Sequence, residues 1–400
     1  MPTFSGQLRS NEIFGALYNM IISQQVFADN IKGTYSSLVD KARVDGSLYG
    51  DQKLYYSTDV LKSHPWGADS EASNLLALAR PKAPEVQAIV LDKFRQIDLT
   101  VDYYLSKRAW ADEGAFSSFT SVMLGWIRET KRVYDSTIYN AFIGTDESSV
   151  GKQQISVDLR SASAGQPLYN LAGVEKAQME AMLIARALAD LMVELKDVSR
   201  SFNDYQQLRS YSGEEIKVIW NASFVNRIKK LDVPTIFHKE GLVDKFEEEV
   251  LPERYFGTVI TSSNISGFSA GTPTTGKPID SDDGAYTPGV NHANGCIRSL
   301  VEKEVTVSNV VYHVFPGDEI PAGATIVAST GDFVPGEVYI QTFDVICKVV
   351  TMLPPYMSAF EVGTSFFNPK SLTENHYLTW GHNSLEHLKG KPFITVKASL

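Results

Sequence analysis

Apolar and polar positions change their period several times along the chain, and each change marks an element. Between residues 11 and 40, Ile13, Leu17, Met20, Ile21 and Ile31 recur at roughly helical spacing, predicting an amphipathic segment that is either an arm or a first docked helix. After Gly46 and Gly50 the period becomes two: Leu54, Tyr56, Thr58 and Val60 alternate with Lys53, Ser57 and Asp59. Residues 63–84, rich in proline and small side chains, interrupt that strand. A second extended run then sets Ile97, Leu99, Val101 and Tyr103 on one face and Gln96, Asp98, Thr100 and Asp102 on the other. Two strands with so wide a connection predict a projecting ribbon, or two strands inside one sheet.

From Glu113 to Phe142 the spacing is helical, with one stripe of Phe116, Phe119, Met123, Trp126, Thr130 and Val133 and a second of Ile127, Tyr134, Ile138 and Phe142. A helix of roughly thirty residues spans about 45 Å, and aromatic stripes at this spacing read as core packing. A short strand at Gln154–Arg160 leads to a second long helix, Val174–Val198, lined by Ile184, Leu188, Leu191, Leu195 and Val198. Next come a strand at Glu215–Trp220 and a helix with Val225, Ile228 and Leu231 inward. Glu247, Glu248 and Glu249 read as the solvated face of a short helix that Pro252 ends, before a strand near Gly257–Thr261.

Residues 262–295 are Gly, Ser, Thr, Pro, Asn and Asp, a surface loop, and β-rich runs follow. Residues 262–341 therefore read as an insertion forming a small β-lobe. From Tyr356 to Lys397 aromatic and β-branched residues recur through FEVGTSFF, NHYLTW and PFITV between turn pairs Asn368-Pro369 and Gly390-Lys391, so the chain closes in β-structure.

Composition narrows the function classes. The 400 residues carry 37 basic and 47 acidic side chains, a net charge of −10, which disfavours neutralising nucleic-acid phosphates over an extended surface but not enclosing them. Cys296 and Cys347 lie far apart in no metal or redox pattern, so a disulfide framework is not expected and the expected compartment is reducing. No run approaches a membrane span, and the N-terminal stretch lacks the apolar region of a secretory signal.

The chemical motifs are imperfect. Gly271 to Lys277 has the glycine and lysine spacing of a phosphate loop, but Pro278 stands where Ser or Thr must hold magnesium. His382, Glu386 and His387 miss an inverted zinc-protease spacing by one residue and read as a polar edge. Asp280, Asp282, Asp283 and Gly284 start like a calcium loop, yet the glycine comes one position early and no glutamate closes it. No catalytic, cofactor-binding or metal site is expected, and the chain is not expected to be an enzyme.

In order, the elements are an amphipathic arm, a two-stranded ribbon, long helices, a strand-helix α/β lobe with an insertion, and a β-rich close. This order resembles the major capsid proteins of tailed bacteriophages, whose fold is named after phage Hong Kong 97 (HK97), and most of all the short-tailed branch. The passages that carry it are EEIKVIWNASFVNRIKKLDVPTIFHKEGLVDKFEEEVL and the close from FNPKSLTENHYLTW to KPFITV. The resemblance implies an α+β fold in five units: an N-terminal arm (1–50), an extended β-ribbon loop (51–111), a peripheral domain whose spine helix is Val174–Val198 (112–231), an axial domain containing the 262–341 insertion (232–373), and C-terminal return strands (374–400).

It further implies a major capsid protein that assembles as hexamers and pentamers into an icosahedral shell around double-stranded DNA. The subunit contacts would come from Phe14, Leu17, Tyr55, Tyr56, Trp66, Ile97, Leu99 and Tyr103. Too few residues precede the ribbon for a fused helical scaffold, so a separate scaffolding protein is expected. A portal protein, no membrane and no cofactor complete the expectation, with assembly in the host cytoplasm. The alternatives are an encapsulin-type shell, or an α+β enzyme or carbohydrate- or receptor-binding protein using the 262–341 lobe.

Overall fold

Four α-helices and sixteen strands are laid out in the computed structural model, which describes residues 37–45, 52–63, 80–102, 113–147, 153–229, 247–262, 297–321, 324–326 and 331–399. In chain order they are α1 (Ser37–Ala42), β1 (Arg43–Asp45), β2 (Gln52–Ser57), β3 (Glu85–Val101), α2 (Glu113–Gly144), β4 (Thr145–Glu147), β5 (Gln154–Asp158) and α3 (Gly173–Lys196). There follow β6 (Lys217–Asn221), α4 (Ala222–Lys229), β7 (Glu247–Leu251), β8 (Gly257–Val259), β9 (Ile297–Ser299), β10 (Lys303–Val307) and β11 (Val310–Val314). The last are β12 (Val338–Gln341), β13 (Val345–Val350), β14 (Tyr356–Asn368), β15 (Thr373–Asn383) and β16 (Phe393–Ser399). The expected arm up to residue 36 and the loop 263–296 lie outside the described residues.

The strands form four sheets. The first, which we call the central sheet, has the order β5-β16-β13-β6-β7 and draws its strands from distant parts of the chain. Its middle strand β13 is buried at all six positions. On one face, Cys347, Val349, Ile394 and Val396 pack against Ile184, Leu188, Leu191 and Leu195 of α3, the 3- and 4-residue steps read from the sequence. On the other, Val345, Val350 and Phe393 meet Tyr139, Phe142 and Ile143 near the end of α2 and Leu38, Val39 and Ala42 of α1.

The second, long sheet has the order β1-β14-β15-β3-β2. Helix α2, about 48 Å long at 1.5 Å per residue for its 32 residues, serves both sheets. Ahead of its contact with the central sheet, Ile127, Tyr134 and Ile138 pack on Leu378 and Trp380 of β15 and on Ile97 and Leu99 of β3. The most buried positions of the stripe are thus Ile127 and Tyr134, with Ile138 partly buried beside them, while Trp126, Thr130 and Val133 are half-buried. Phe116, Phe119 and Met123 belong to the part of α2 whose side chains lie outside the description.

The third sheet, β4-β8-β12-β9, and the two-stranded β10-β11 hairpin build a lobe with its own core of Ile297, Val305, Val314, Phe333 and Val338. Ser308 and Asn309, with φ of 51° and 64°, turn that hairpin. Strand β4 runs on directly from α2 into this lobe, and the crossing is tight. A Cβ at Gly144 would stand 2.2 Å from the Tyr255 carbonyl oxygen, and one at Gly257 would stand 2.1 Å from that of Ile340.

Three expectations change. Residues 247–251 form an edge strand parallel to β6, not a helix, because Glu247 bridges Lys217 (2.7 Å) and Lys41, and Glu249 meets Lys41 at 2.5 Å. The part of β3 that holds Ile97 and Leu99 does not face β2; β2 pairs with Glu85–Val90 of the same strand, and its residues from Leu91 to Val101 pair with β15. His382 is no polar edge: β15 lies inside the long sheet, and this side chain is buried. The sheets also cut across the units read in chain order, since β14 joins β3 and β15 while β13 joins β6 and β16.

Candidate assembly surface

The β2-β3 ribbon has two unlike faces. In antiparallel register Leu54 faces Ala88, Tyr56 faces Val86 and Gln52 faces Val90, while Lys53, Tyr55 and Ser57 face Ile89, Gln87 and Glu85. Residues directly opposite share a side of the sheet. The second set looks onto the chain's own body and is bound to it by polar contacts. Gln87 donates to the His387 carbonyl and accepts from the Lys389 amide, both at 3.0 Å. Gln207 Nε2 donates to the Ser57 carbonyl at 3.1 Å, and Arg209 donates to Ser57 Oγ at 3.1 Å. Beyond the strand, Asp59 accepts from Arg200 at 2.7 Å and from the Leu208 amide at 3.0 Å. The Arg200 guanidinium first, and then that amide, hold its carboxyl down at about 2.

Apart from Gln52, the outer set is apolar, and it is exposed. Tyr56 is 64% exposed, Val86 47%, Leu54 44% and Val90 41%. A strand pair normally turns its apolar face to the core and its polar face to water. Here the inner face, with Ser57, Gln87 and the buried Ile89, is tied to the body, and a face with four exposed apolar side chains points away.

Where the long sheet meets α2, a buried polar network fixes its attitude. Tyr356 donates to Asp135 Oδ1 at 2.5 Å, and Asp135 Oδ2 receives Lys131 at 3.1 Å with Arg43 at 3.5 Å. Tyr134 and His382 Nε2 lie 2.8 Å apart, and His382 Nδ1 is 2.9 Å from the Asn383 carbonyl. Because that carbonyl can only accept, Nδ1 carries the proton and Nε2 accepts from Tyr134. Burial lowers the His382 pKa and raises that of Tyr134 to about 12, so both are neutral at pH 7. Arg95 lies over the Tyr134 ring, 4.8 Å from its centre, and reaches Glu302 at 2.5 Å; Glu302 also meets His313 at 2.7 Å. This clasp joins the lobe to the long sheet.

Of the residues expected at subunit contacts, Tyr56 stands on the outer ribbon face. Tyr55 is on the inner face and half-buried, and Ile97 and Leu99 pack partly buried against α2 in the same chain. Phe14, Leu17, Trp66 and Tyr103 lie outside the described residues. Leu54, Val86 and Val90 went unnamed. The period-two alternation carried a signal for Leu54, whereas the two valines become a patch only through their register with β2. Among the described residues no cluster of three or more His, Cys, Asp and Glu side chains could hold a metal ion, and no helix is long and apolar enough to cross a membrane.

No protein-family model and no curated protein matches the chain by sequence. By structure, it is similar to a chain in the structure of the head fibre and inner core protein gp22 of native bacteriophage P68. The TM-score is 0.54 at 10% identity, covering 90% of this chain and 83% of that one. It is also similar to a chain in the capsid structure of Staphylococcus phage Andhra, with a TM-score of 0.51 at 12% identity and the same coverage, 90% and 83%. The fold is the α+β, HK97-like fold of tailed-phage capsids.

Proposed function

We propose that this chain is the major shell subunit of a tailed bacteriophage, and that its copies assemble as hexamers and pentamers into an icosahedral capsid around double-stranded DNA. The observation that carries the reading is the outward apolar face of the β2-β3 ribbon, on a fold shared with chains of phage particles. Burying a large apolar side chain yields about 1.5–3 kcal/mol, so Leu54, Tyr56, Val86 and Val90 give a neighbouring copy a reason to cover the ribbon. The inner polar contacts keep the ribbon set for that encounter, which lowers the ordering cost of each new contact. Repetition of one contact under symmetry then closes a shell.

The net charge of −10 suits a container that retains DNA by enclosure, the packed phosphates needing no matching basic lining. A separate scaffolding protein and a portal protein are the partners proposed for assembly in the host cytoplasm. Co-expression with the scaffolding protein followed by negative-stain electron microscopy tests this. Closed shells are expected from the wild type, and folded but unassembled subunits from the Leu54→Asp, Tyr56→Asp double variant. Wild-type protein that stays small under every scaffolded condition overturns the shell reading. Shells from the double variant as abundant as wild type overturn the ribbon's part in it. Nuclease-protected DNA in purified particles separates a genome container from a shell that encloses protein.

A further inference from the structure

Strand β14 leaves most of one edge without a partner among the described residues. It pairs with β1 at 356–358 and with β15 along the opposite side from Ser358 to Asn368, but no described strand borders residues 359–368 on the β1 side. Residues 362–367 are exposed on both faces of the sheet, Phe366 by 60% and Phe367 by 49%. A Cβ placed at Gly363 would meet no atom within 4 Å. Nothing in this stretch blunts the edge, since it has no lysine, proline begins only at Pro369, and the bulge sits at the strand's base between Ala359 and Val362. A bare strand edge with exposed apolar side chains is a template for another strand.

The order of residues in the strand identifies that partner. Laid antiparallel against a second copy of itself about Thr364, the strand brings Val362 opposite Phe366 and Phe366 opposite Val362, with Gly363 against Ser365. A two-fold axis perpendicular to the sheet keeps each face on its own side, so both Val-Phe pairs fall on the face that carries Thr379, Tyr377 and Asn375. Centring the axis on Ser365 instead sets Val362 against Asn368 and loses both pairs. We propose that two copies of this chain join β14 to β14 across a two-fold axis at Thr364, continuing one sheet through β3, β15, β14 and the same strands of the second copy. Such a contact is isologous, each surface being its own complement. It deepens the shell reading and rests on that reading for the choice of a second copy as the partner.

The test uses the full chain in two sets of variants. In Thr364→Cys the new thiols face each other across the axis, where directly opposed residues have Cβ atoms about 4.5–5.5 Å apart, close to the span of a disulfide. Mild oxidation of assembled particles is expected to give covalent dimers on non-reducing gels, absent from wild type and from Val174→Cys, an exposed position on α3 away from both surfaces. Phe366→Glu is expected to weaken particle formation about tenfold, and adding Val362→Lys to restore it, because the two-fold register sets each new glutamate against a new lysine. Well-formed shells of the Thr364→Cys variant that give no covalent dimers, or a failure of the second substitution to rescue Phe366→Glu, overturn the pairing and leave the shell reading standing. Covalent dimers from a chain that never forms shells uphold the pairing and overturn the shell reading.

Discussion

The central sheet and the long sheet of this molecule are built to opposite ends. Strand β13 is buried at every position between α3 on one side and α1 with α2 on the other. Among the described residues, the long sheet rests on α2 over one part only, and nothing covers the outer face of β2-β3 or the outer half of β14. One sheet completes its own core. The other packs on α2 through Ile127, Tyr134, Leu378 and Trp380, is fastened at its base by polar contacts, and leaves further apolar side chains exposed. The difference separates the residues that close the molecule's own core from those that leave an apolar surface exposed.

The sharpest way to break the comparison is to empty the covered part of the long sheet. Trp380→Ala, which removes a 2% exposed ring packed on Tyr134, is expected to cost about 3–5 kcal/mol in denaturant unfolding. A loss under about 1 kcal/mol would mean that α2 does not hold the long sheet as described.

Lys348 gives the next largest effect. It is fully buried in β13, donates to the Thr145 carbonyl at 3.0 Å, and burial pulls its pKa from 10.5 down to about 8. The folded state therefore holds fewer protons than the unfolded one between pH 8 and 10.5, and its stability rises with pH across that window. Below pH 8 the full cost of the buried ammonium remains, on the order of 3 kcal/mol. Lys348→Met is expected to be more stable than wild type at pH 7, with the gap closing toward pH 10.5 in paired denaturation curves. A gap that stays constant with pH would sink the assignment.

A smaller effect is expected at the clasp between the lobe and the long sheet. Arg95→Ala leaves Glu302 without its guanidinium and is expected to cost about 1–3 kcal/mol, with amide exchange in β10-β11 rising more than in β13. Equal change in both strands would mean that the lobe and the sheet open together. The smallest effect on the isolated subunit is expected from Tyr56→Ala, within about 0.5 kcal/mol, although assembly should fall. Tyr55→Ala on the inner face should do the reverse, lowering unfolding stability more than Tyr56→Ala. If the two tyrosines behave alike, the two ribbon faces are not distinct.

Much of the fold can be read from the chain because its period speaks for it. The steps from Ile184 to Leu195 predicted α3 and its buried face, and the passage from Lys217 through Lys229 predicted a strand turning into a helix. Where tertiary pairing decides, the pattern is silent. Residues 247–251 carry three glutamates and no alternation, and become a strand only because β6, Lys41 and Lys217 are beside them. The ribbon's alternation identified a two-faced strand but not which face meets the body, since Ser57 and Gln87 find their partners in residues 207–209 and 387–389. The alternation at 96–103 marked only the far part of β3, which begins at Glu85 and uses β2 for its first third and β15 for the rest. The burial of His382 likewise depends on α2 arriving from elsewhere in the chain.

The place of β16 in the central sheet has a consequence for synthesis. It lies between β5, about 240 residues earlier in the chain, and β13, pairing with the first in parallel and the second antiparallel. A ribosome-bound chain that has not yet released residues 393–399 has a gap between β5 and β13, whatever else has folded. Chains cut short before residue 393 thus leave β5 without the strand it pairs with. Release of residues 393–399 is therefore the step that completes the central sheet.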